Sequence, residues 1–323
     1  MKTYFENRYR MRYNGDDYPV YRVNLHAHSN DSGGLFTPSM TRELYADDGA
    51  LAITDTNRYE ELPSDAYNRL TSIPGTEWKL PGPRGVEVTL LVYGLNQIAS
   101  DHPATLAEAL KLVEDKCAQV YVAHPHLSGL RPSDILQFPG RVNGIEIYNA
   151  NARKAGKEYS INTWDCLLDD GLPACAGIAT DGFFHPDSFR CGWIMVCAKD
   201  NSVESILTAM RHRRFYCSQG PRFTCIEYRN RHFHAEFTSA VEALLIGNTP
   251  HVPERFNAVV ERCNDFPWPG TRPETSPLES GVEFEEATTS IDADLSGWSD
   301  TGFVRCQIRD RLGHYAWSQA FVL

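Results

Sequence analysis

Apolar residues never run long in this sequence. Nothing approaches the roughly 18 consecutive apolar residues of a membrane-spanning helix, and residues 1–22 hold no continuous apolar core of about 7–15 residues. Neither a membrane span nor a cleaved leader is expected, and a cytoplasmic enzyme is. Basic charge is also in short supply: Lys and Arg number 31 against 42 Asp and Glu, a formal charge of −11. Such a chain lacks the cationic footprint that draws a duplex or an anionic membrane, so neither is an expected partner. The nine cysteines (117, 166, 175, 191, 197, 217, 225, 263 and 306) are odd in number, scattered and without a CxxC pair. That pattern speaks against a disulfide framework and against a thiolate zinc site, and leaves them as small buried apolar residues in a reducing compartment.

What is present is an ordinary globular composition, 42% hydrophobic and 23% charged over 323 residues. This is enough chain for one large α/β domain and a smaller companion. From Val23 to about Cys217, apolar runs of four to six residues alternate with amphipathic segments, the signature of βαβ units and a parallel sheet. Helix signals lie between the runs: Thr37-Pro38 reads as an N-cap with proline in the first turn, Leu106, Leu110 and Val113 recur at helical spacing, and Gly171 reads as a stop after Trp164, Leu167 and Leu168. Asn201 with Glu204 reads as a capping box. After Gly220-Pro221 the period shortens to two, with Val304, Cys306 and Ile308 alternating with Arg305, Gln307 and Arg309. The division expected is a barrel over 1–220 and an all-β, sandwich-like domain over 221–323. Residues 265–281, rich in proline, read as a long surface loop.

Five apolar runs end in a side chain able to bind a metal, a proton or a polar ligand: Val23-Asn24-Leu25 before His26, Ala50-Leu51-Ala52-Ile53-Thr54 before Asp55, Val120-Tyr121-Val122-Ala123 before His124, Ile145-Glu146-Ile147-Tyr148 before Asn149, and Ala176-Gly177-Ile178-Ala179-Thr180 before Asp181. In a parallel α/β barrel the C-terminal strand ends share one face, and sites are assembled there from several strands. His26-Ala27-His28 adds a pair at i and i+2, which a strand projects to one side as a two-imidazole claw; two hydrogen-bonded histidines at a strand end are the plain alternative.

These segments resemble the motifs of the PHP (polymerase and histidinol phosphatase) superfamily of metal-dependent hydrolases. The resemblance runs through Asn24–Asn30, Gly49–Asp55, Ile73-Pro74-Gly75-Thr76-Glu77, Val122-Ala123-His124-Pro125-His126, Gly144–Asn149 and Thr180-Asp181. It continues through Gly192–Val196 and Arg214–Pro221, then resumes at Phe303-Val304-Arg305 and Ala316-Trp317-Ser318, as in the branch with a small β domain after the barrel. It implies a distorted (β/α)7 barrel in which His26, His28, Glu77 and Asp181 surround one ion, and Glu77 bridges to a second held also by His124. Gly33, Thr56 and Phe183 stand where the family's third-site ligands lie, which implies that this site is absent. Thr89 occupies the place of a further histidine, for which His102, His126 or His185 either substitutes or remains a solvated loop residue.

Imidazole and carboxylate ligands suit one or two divalent Zn, Mn or Fe ions, whose charge lowers the pKa of bound water from about 15.7 to roughly 7. In the family-like arrangement Asp181 and Glu77 orient that water and His124 holds the second ion or the scissile oxygen. A small-molecule anionic substrate is expected to find Arg58, Arg131 and Arg190, each close behind a site segment, together with Asn149 and His185; surface ion pairs are the alternative for the arginines. Asp55 is expected to support a ligand rather than to be one. Phe183-Phe184 either walls the pocket or packs in the core. The function expected is a metal-dependent phosphoesterase, set against a binding or regulatory protein on the same fold and against a hydrolase of carbamates, esters or amides.

Overall fold

The structure is a computed structural model, and it describes residues 9–58, 70–95, 102–248, 256–262, 288–298 and 302–323. The loop read at 265–281 and Cys263 lie outside the described residues. Strands β1 (Tyr9–Tyr13) and β2 (Asp16–Ala27) form an antiparallel hairpin. Asn14 and Gly15 turn it with φ of 50° and 89°, the left-handed pair that a two-residue hairpin requires. There follow β3 (Ala50–Ile53), β4 (Thr71–Ser72), β5 (Gly75–Pro81), β6 (Glu87–Tyr93), β7 (Gln119–Val122), β8 (Gly144–Asn149) and β9 (Ala176–Thr180).

Seven of these strands follow one another round a nearly closed ring. β2 pairs with β3 in parallel, an isolated bridge between Thr56 and Glu77 leads to β5, and β6 joins β5 to β7. β7, β8 and β9 are parallel, and a bridge between Phe183 and Ala27 returns to β2. The uniform parallel sheet expected from the alternation is not what forms: β6 is antiparallel to both neighbours. The reason is the connection, since residues 82–86 allow a hairpin return but not the dozen or more residues of a parallel crossover.

The helices are α1 (Pro38–Leu44), α2 (Leu106–Asp115), α3 (Pro125–Ser128), α4 (Pro132–Leu136), α5 (Ile161–Asp170) and α6 (Val203–Arg211). Thr37 Oγ1 accepts from Met40 N at 3.2 Å to open α1, and Gly171 closes α5 with φ of 137°, both as the sequence predicts. The Asn201/Glu204 box does not form. Ser202 caps α6 instead by accepting from Ser205 N, and Asn201, one residue before the cap, donates its Nδ2 to the Gly49 carbonyl.

Strands β10 (Trp193–Cys197), β11 (Phe215–Ser218), β12 (Phe223–Arg229), β13 (His232–Ala240), β14 (Glu242–Asn248), β15 (Phe256–Arg262), β16 (Thr288–Asp294), β17 (Phe303–Arg309), β18 (Tyr315–Ser318) and β19 (Phe321–Val322) complete the chain. One sheet runs unbroken through residue 220, in the order β15-β14-β17-β18-β11-β10-β2-β1-β12-β13-β16. Its arms enclose a second core, in which Phe223, Ile226, Phe233 and Phe237 meet Leu245, Val304 and Ile308, and Met11, Val20 and Met195 join them. The first core fills the ring with Val23, Leu25, Leu90, Val122, Ile145 and Ile178 and takes in Trp164, whose indole donates to Cys175 O at 2.9 Å. No disulfide joins any of the eight described cysteines. Among the described residues no helix is long and apolar enough to cross a membrane.

Candidate metal centre

β2, β5 and β7 bring His26, His28, Glu77 and His124 together, the histidines where β2 and β7 end and Glu77 from within β5. Alternation along β2 sends His26 and His28 to one side, and the register of β5 turns Glu77 to meet them. His124 follows β7 with φ of 28° and ψ of 57°, a left-handed conformation costing an imidazole-bearing residue about 1–3 kcal/mol. Its backbone N–H donates to Glu146 Oε2 at 2.8 Å, which holds it there.

The contacting atoms are ring nitrogens and one carboxylate oxygen. His26 Nε2 is 3.1 Å from His28 Nε2 and 3.4 Å from Glu77 Oε1; the same oxygen lies 4.0 Å from His28 Nε2 and 3.9 Å from His124 Nε2. His26, Glu77 and His124 each place a ligand atom within 4.8 Å of the others. Ligands about 2.1 Å from one ion stand roughly 3.0–3.4 Å apart, so the closest of these separations already have the span of a coordination polyhedron.

Each imidazole is oriented from behind. His26 Nδ1 donates to Glu146 Oε1 at 2.9 Å, His28 Nδ1 meets Ser32 Oγ at 2.8 Å, and His124 Nδ1 meets Ser128 Oγ at 3.2 Å. Ser32 gives its own proton to Asp55, whose carboxylate also accepts from Ser29 N at 2.7 Å. His28 Nδ1 is therefore the donor to Ser32, and its Nε2 lone pair faces the cluster. Asp55 has the supporting place expected of it. Glu146 is the residue that motif reading passed over as a functional group: buried at 1% exposure, it accepts from His26, His124 N, Thr180 Oγ1 and Asn149 Nδ2. The signal was a carboxylate inside an apolar strand, a placement that burial penalises unless donors surround it.

Electrostatics follow from burial. Burial opposes charge on His26, yet Glu146 and Glu77 outweigh it and raise the imidazole to about 10. Burial and the charged His26 ring push His28 down to about 3, and burial lowers His124. Against burial, His26 and His28 hold the Glu77 carboxyl well below its usual range, and His26 and His124 hold Glu146 at about 2. Two carboxylates thus face a single buried imidazolium, with the Lys79 ammonium 3.8 Å from Glu77 Oε2 on the exposed side, and a divalent cation can take the place of the imidazolium proton between them. Replacing Glu146 with Gln is expected to lower affinity for zinc or manganese by about 10–100-fold, read by competition with a chelating dye.

Asp181 stands apart from this group. Its Oδ1 accepts from Asn24 Nδ2, and its Oδ2 accepts from the Tyr45 hydroxyl and, at 3.0 Å, from Arg190 N. Burial raises it to about 7 against these donors. Asn24 Oδ1 in turn accepts from His26 N at 3.1 Å, so Asp181 reaches the cluster by positioning His26. Gly182, at φ of 54°, makes room for Asn149: a Cβ there would stand 2.4 Å from Asn149 Oδ1.

The other expected residues have other partners. Thr56 Oγ1 donates to Glu77 Oε2 at 2.6 Å, and Phe183 packs in the core beside Tyr45, Leu51 and Ile53. Phe184 instead stacks on His28 with ring centroids 3.9 Å apart. Thr89 is buried within β6. Arg58 pairs with Asp31 at 3.3 Å, Arg190 with Asp48 at 3.2 Å, and Arg131, at the start of α4, donates its backbone N–H to Asp134 Oδ2 at 2.8 Å. Asn149 is held between Glu146 and Ala152 N. His185 is exposed and its carbonyl accepts from Ser188; His102 contacts Asn57, and His126 Nδ1 lies 3.0 Å from Tyr159 O. A cation that motif reading missed is Lys79, two residues along β5 from Glu77 and so on its face, with Nζ 3.8 Å from Glu77 Oε2.

No family model and no curated protein matches the sequence. Among solved structures the chain is similar to a protein from Bifidobacterium adolescentis ATCC 15703 described as a "putative metal-dependent phosphoesterase", over 51% of this chain and 88% of that one, at 10% identity and a TM-score of 0.35. It is also similar, over 95% of each chain, to a two-domain protein containing a "predicted PHP-like metal-dependent phosphoesterase" from Bacteroides vulgatus ATCC 8482, at 13% identity and a TM-score of 0.48.

Proposed function

We propose that this protein is a metal-dependent hydrolase, a phosphoesterase of small anionic molecules, built on a PHP-type (β/α)7 barrel with a C-terminal β domain from about residue 221. The observation that carries the reading is the convergence of His26 Nε2, His124 Nε2 and Glu77 Oε1, with His28 Nε2 beside them. A bound divalent ion would supply Lewis-acid polarisation of a phosphoryl oxygen and a lowered pKa for coordinated water. The chain's own part is to hold three imidazoles by their Nδ1 atoms so that Nε2 faces inward, and to keep Glu77 ionised. Lys79, on the rim at 40% side-chain exposure, offers a cation to the anionic substrate. Phe184 covers one face of His28 and limits water there.

Reconstitution with Zn, Mn and Fe in turn, followed by a panel of small phosphoesters and a panel of esters, carbamates and amides, tests the reading. Turnover is expected on the phosphoesters and in proportion to bound metal. Full occupancy with no phosphoester turnover ends the proposal: carbonyl turnover would then assign the other bond class, and complete silence would leave a binding protein. That second reading draws on Thr56 and Phe183, which provide a hydroxyl and an apolar ring instead of imidazoles. Lys79→Met is expected to raise KM for a phosphomonoester by about 10–100-fold while the ion content stays the same, the effect of losing one charge-assisted contact.

A further inference from the structure

The two oxygens of the Glu77 carboxylate have different surroundings. Oε1 is the one that His26, His28 and His124 face, with their Nε2 atoms 3.4, 4.0 and 3.9 Å away. Oε2 meets donors instead: Thr56, bridged to Glu77 along the backbone, gives it a hydroxyl proton at 2.6 Å, and the Lys79 ammonium stands 3.8 Å off. Glu77 and Lys79 are i and i+2 on β5 and so share a face, and directly across from Lys79 on β6 is Thr89, a buried hydroxyl. The neighbouring carboxylates are already engaged. Asp55 accepts from Ser29 N, Ser29 Oγ and Ser32 Oγ, and Asp181 accepts from Asn24, Tyr45 and Arg190 N.

Resting on the hydrolase reading above, we infer that the barrel centre takes one divalent ion and that the Lys79 ammonium holds the place of a second. The family resemblance implies instead that Glu77 bridges two ions, one on each oxygen. A second ion needs lone pairs of its own beyond the shared carboxylate. Around Oε2 stand a hydroxyl that donates to it and a cation, and among the described residues the one group of three or more such ligands is that of His26, Glu77 and His124. Charge points the same way. One divalent ion in place of the His26 proton balances the Glu77 and Glu146 carboxylates, whereas a second, set on Oε2, would meet the ammonium as a like charge in a largely buried site. At 3.8 Å the ammonium is drawn to Oε2 without donating to it, and at 40% side-chain exposure it reaches solvent. Its protons are therefore open to the phosphoryl oxygens of a substrate, and the lysine presents the fixed positive charge that a second ion would otherwise supply.

Full-length protein loaded with manganese and freed of loosely held metal by gel filtration tests the count, by atomic emission and by electron paramagnetic resonance. One manganese per chain with the spectrum of an isolated ion is expected. Two per chain, or an exchange-coupled pair, overturns the inference and leaves the hydrolase reading standing; no bound manganese overturns both. The lysine's part is read by calorimetry with inorganic phosphate on the manganese-loaded protein. Lys79→Met is expected to weaken phosphate binding by about 10–100-fold at unchanged manganese content, the effect of losing one charge-assisted contact. Equal phosphate affinity in the parent and in this variant, each folded by circular dichroism, also overturns the inference. Neither measurement reads turnover, so one ion and lysine-dependent phosphate binding in a protein that cleaves nothing supports the inference while the hydrolase reading fails alone.

Discussion

Arg305→Leu is expected to lower the stability of the protein by about 3–5 kcal/mol, the cost of leaving a buried charge without its partner. Arg305 lies on β17 at 1% exposure, with Nε and Nη2 each 2.7 Å from a different oxygen of Asp165 on α5. Its guanidinium also covers the Trp164 ring at 5.3 Å. This fork ties a C-terminal strand to a helix of the ring. Without it the Asp165 carboxylate stays in an apolar seam, and lysine, a point charge on a flexible stem, does not restore two parallel hydrogen bonds. The double variant Arg305→Leu with Asp165→Leu is expected to recover most of the loss, because exchanging both charges for apolar groups removes the desolvation cost together with the attraction. Urea unfolding measures both; a single variant as stable as the parent would contradict the account.

His26→Ala is expected to abolish the barrel ion and, with it, hydrolysis. The effect exceeds the roughly 10–100-fold expected for Glu146→Gln, since a ligand is removed rather than its support. Metal-free protein carries a second signature. The His26 pKa is raised from 6.5 to about 10, so its charge stabilises the fold fully below pH 6.5, and that contribution is lost as pH rises through about 10. Denaturation midpoints of the metal-free parent and of His26→Ala are therefore expected to converge between those limits and to differ most below them. Parallel curves across the whole range would show that Glu77 and Glu146 do not depend on this imidazole.

The first of these predictions grows from a contact that sequence reading could not supply. Alternation along Val304–Arg309 placed Arg305 on the outward face, yet at Arg305 that face is buried against α5. Local pattern reports which side of a strand a residue takes; what covers that side depends on another segment 140 residues away. The second prediction lies closer to what was legible. His26 and His124 were legible from their position at strand ends and, like His28 and Glu77, from the family resemblance, and the structure brings them together.

By itself the sequence determined the local units: where strands end, the caps at Thr37 and Gly171, and the i, i+2 pairing of imidazoles. These depend on neighbouring residues and on backbone stereochemistry alone. Only the tertiary structure decided that β6 runs antiparallel, that Glu146 gathers four donors, and that Asp181 turns to Asn24 and Tyr45. A buried carboxylate is satisfied by whichever donors packing places within reach, and those donors come from strands far apart in the chain.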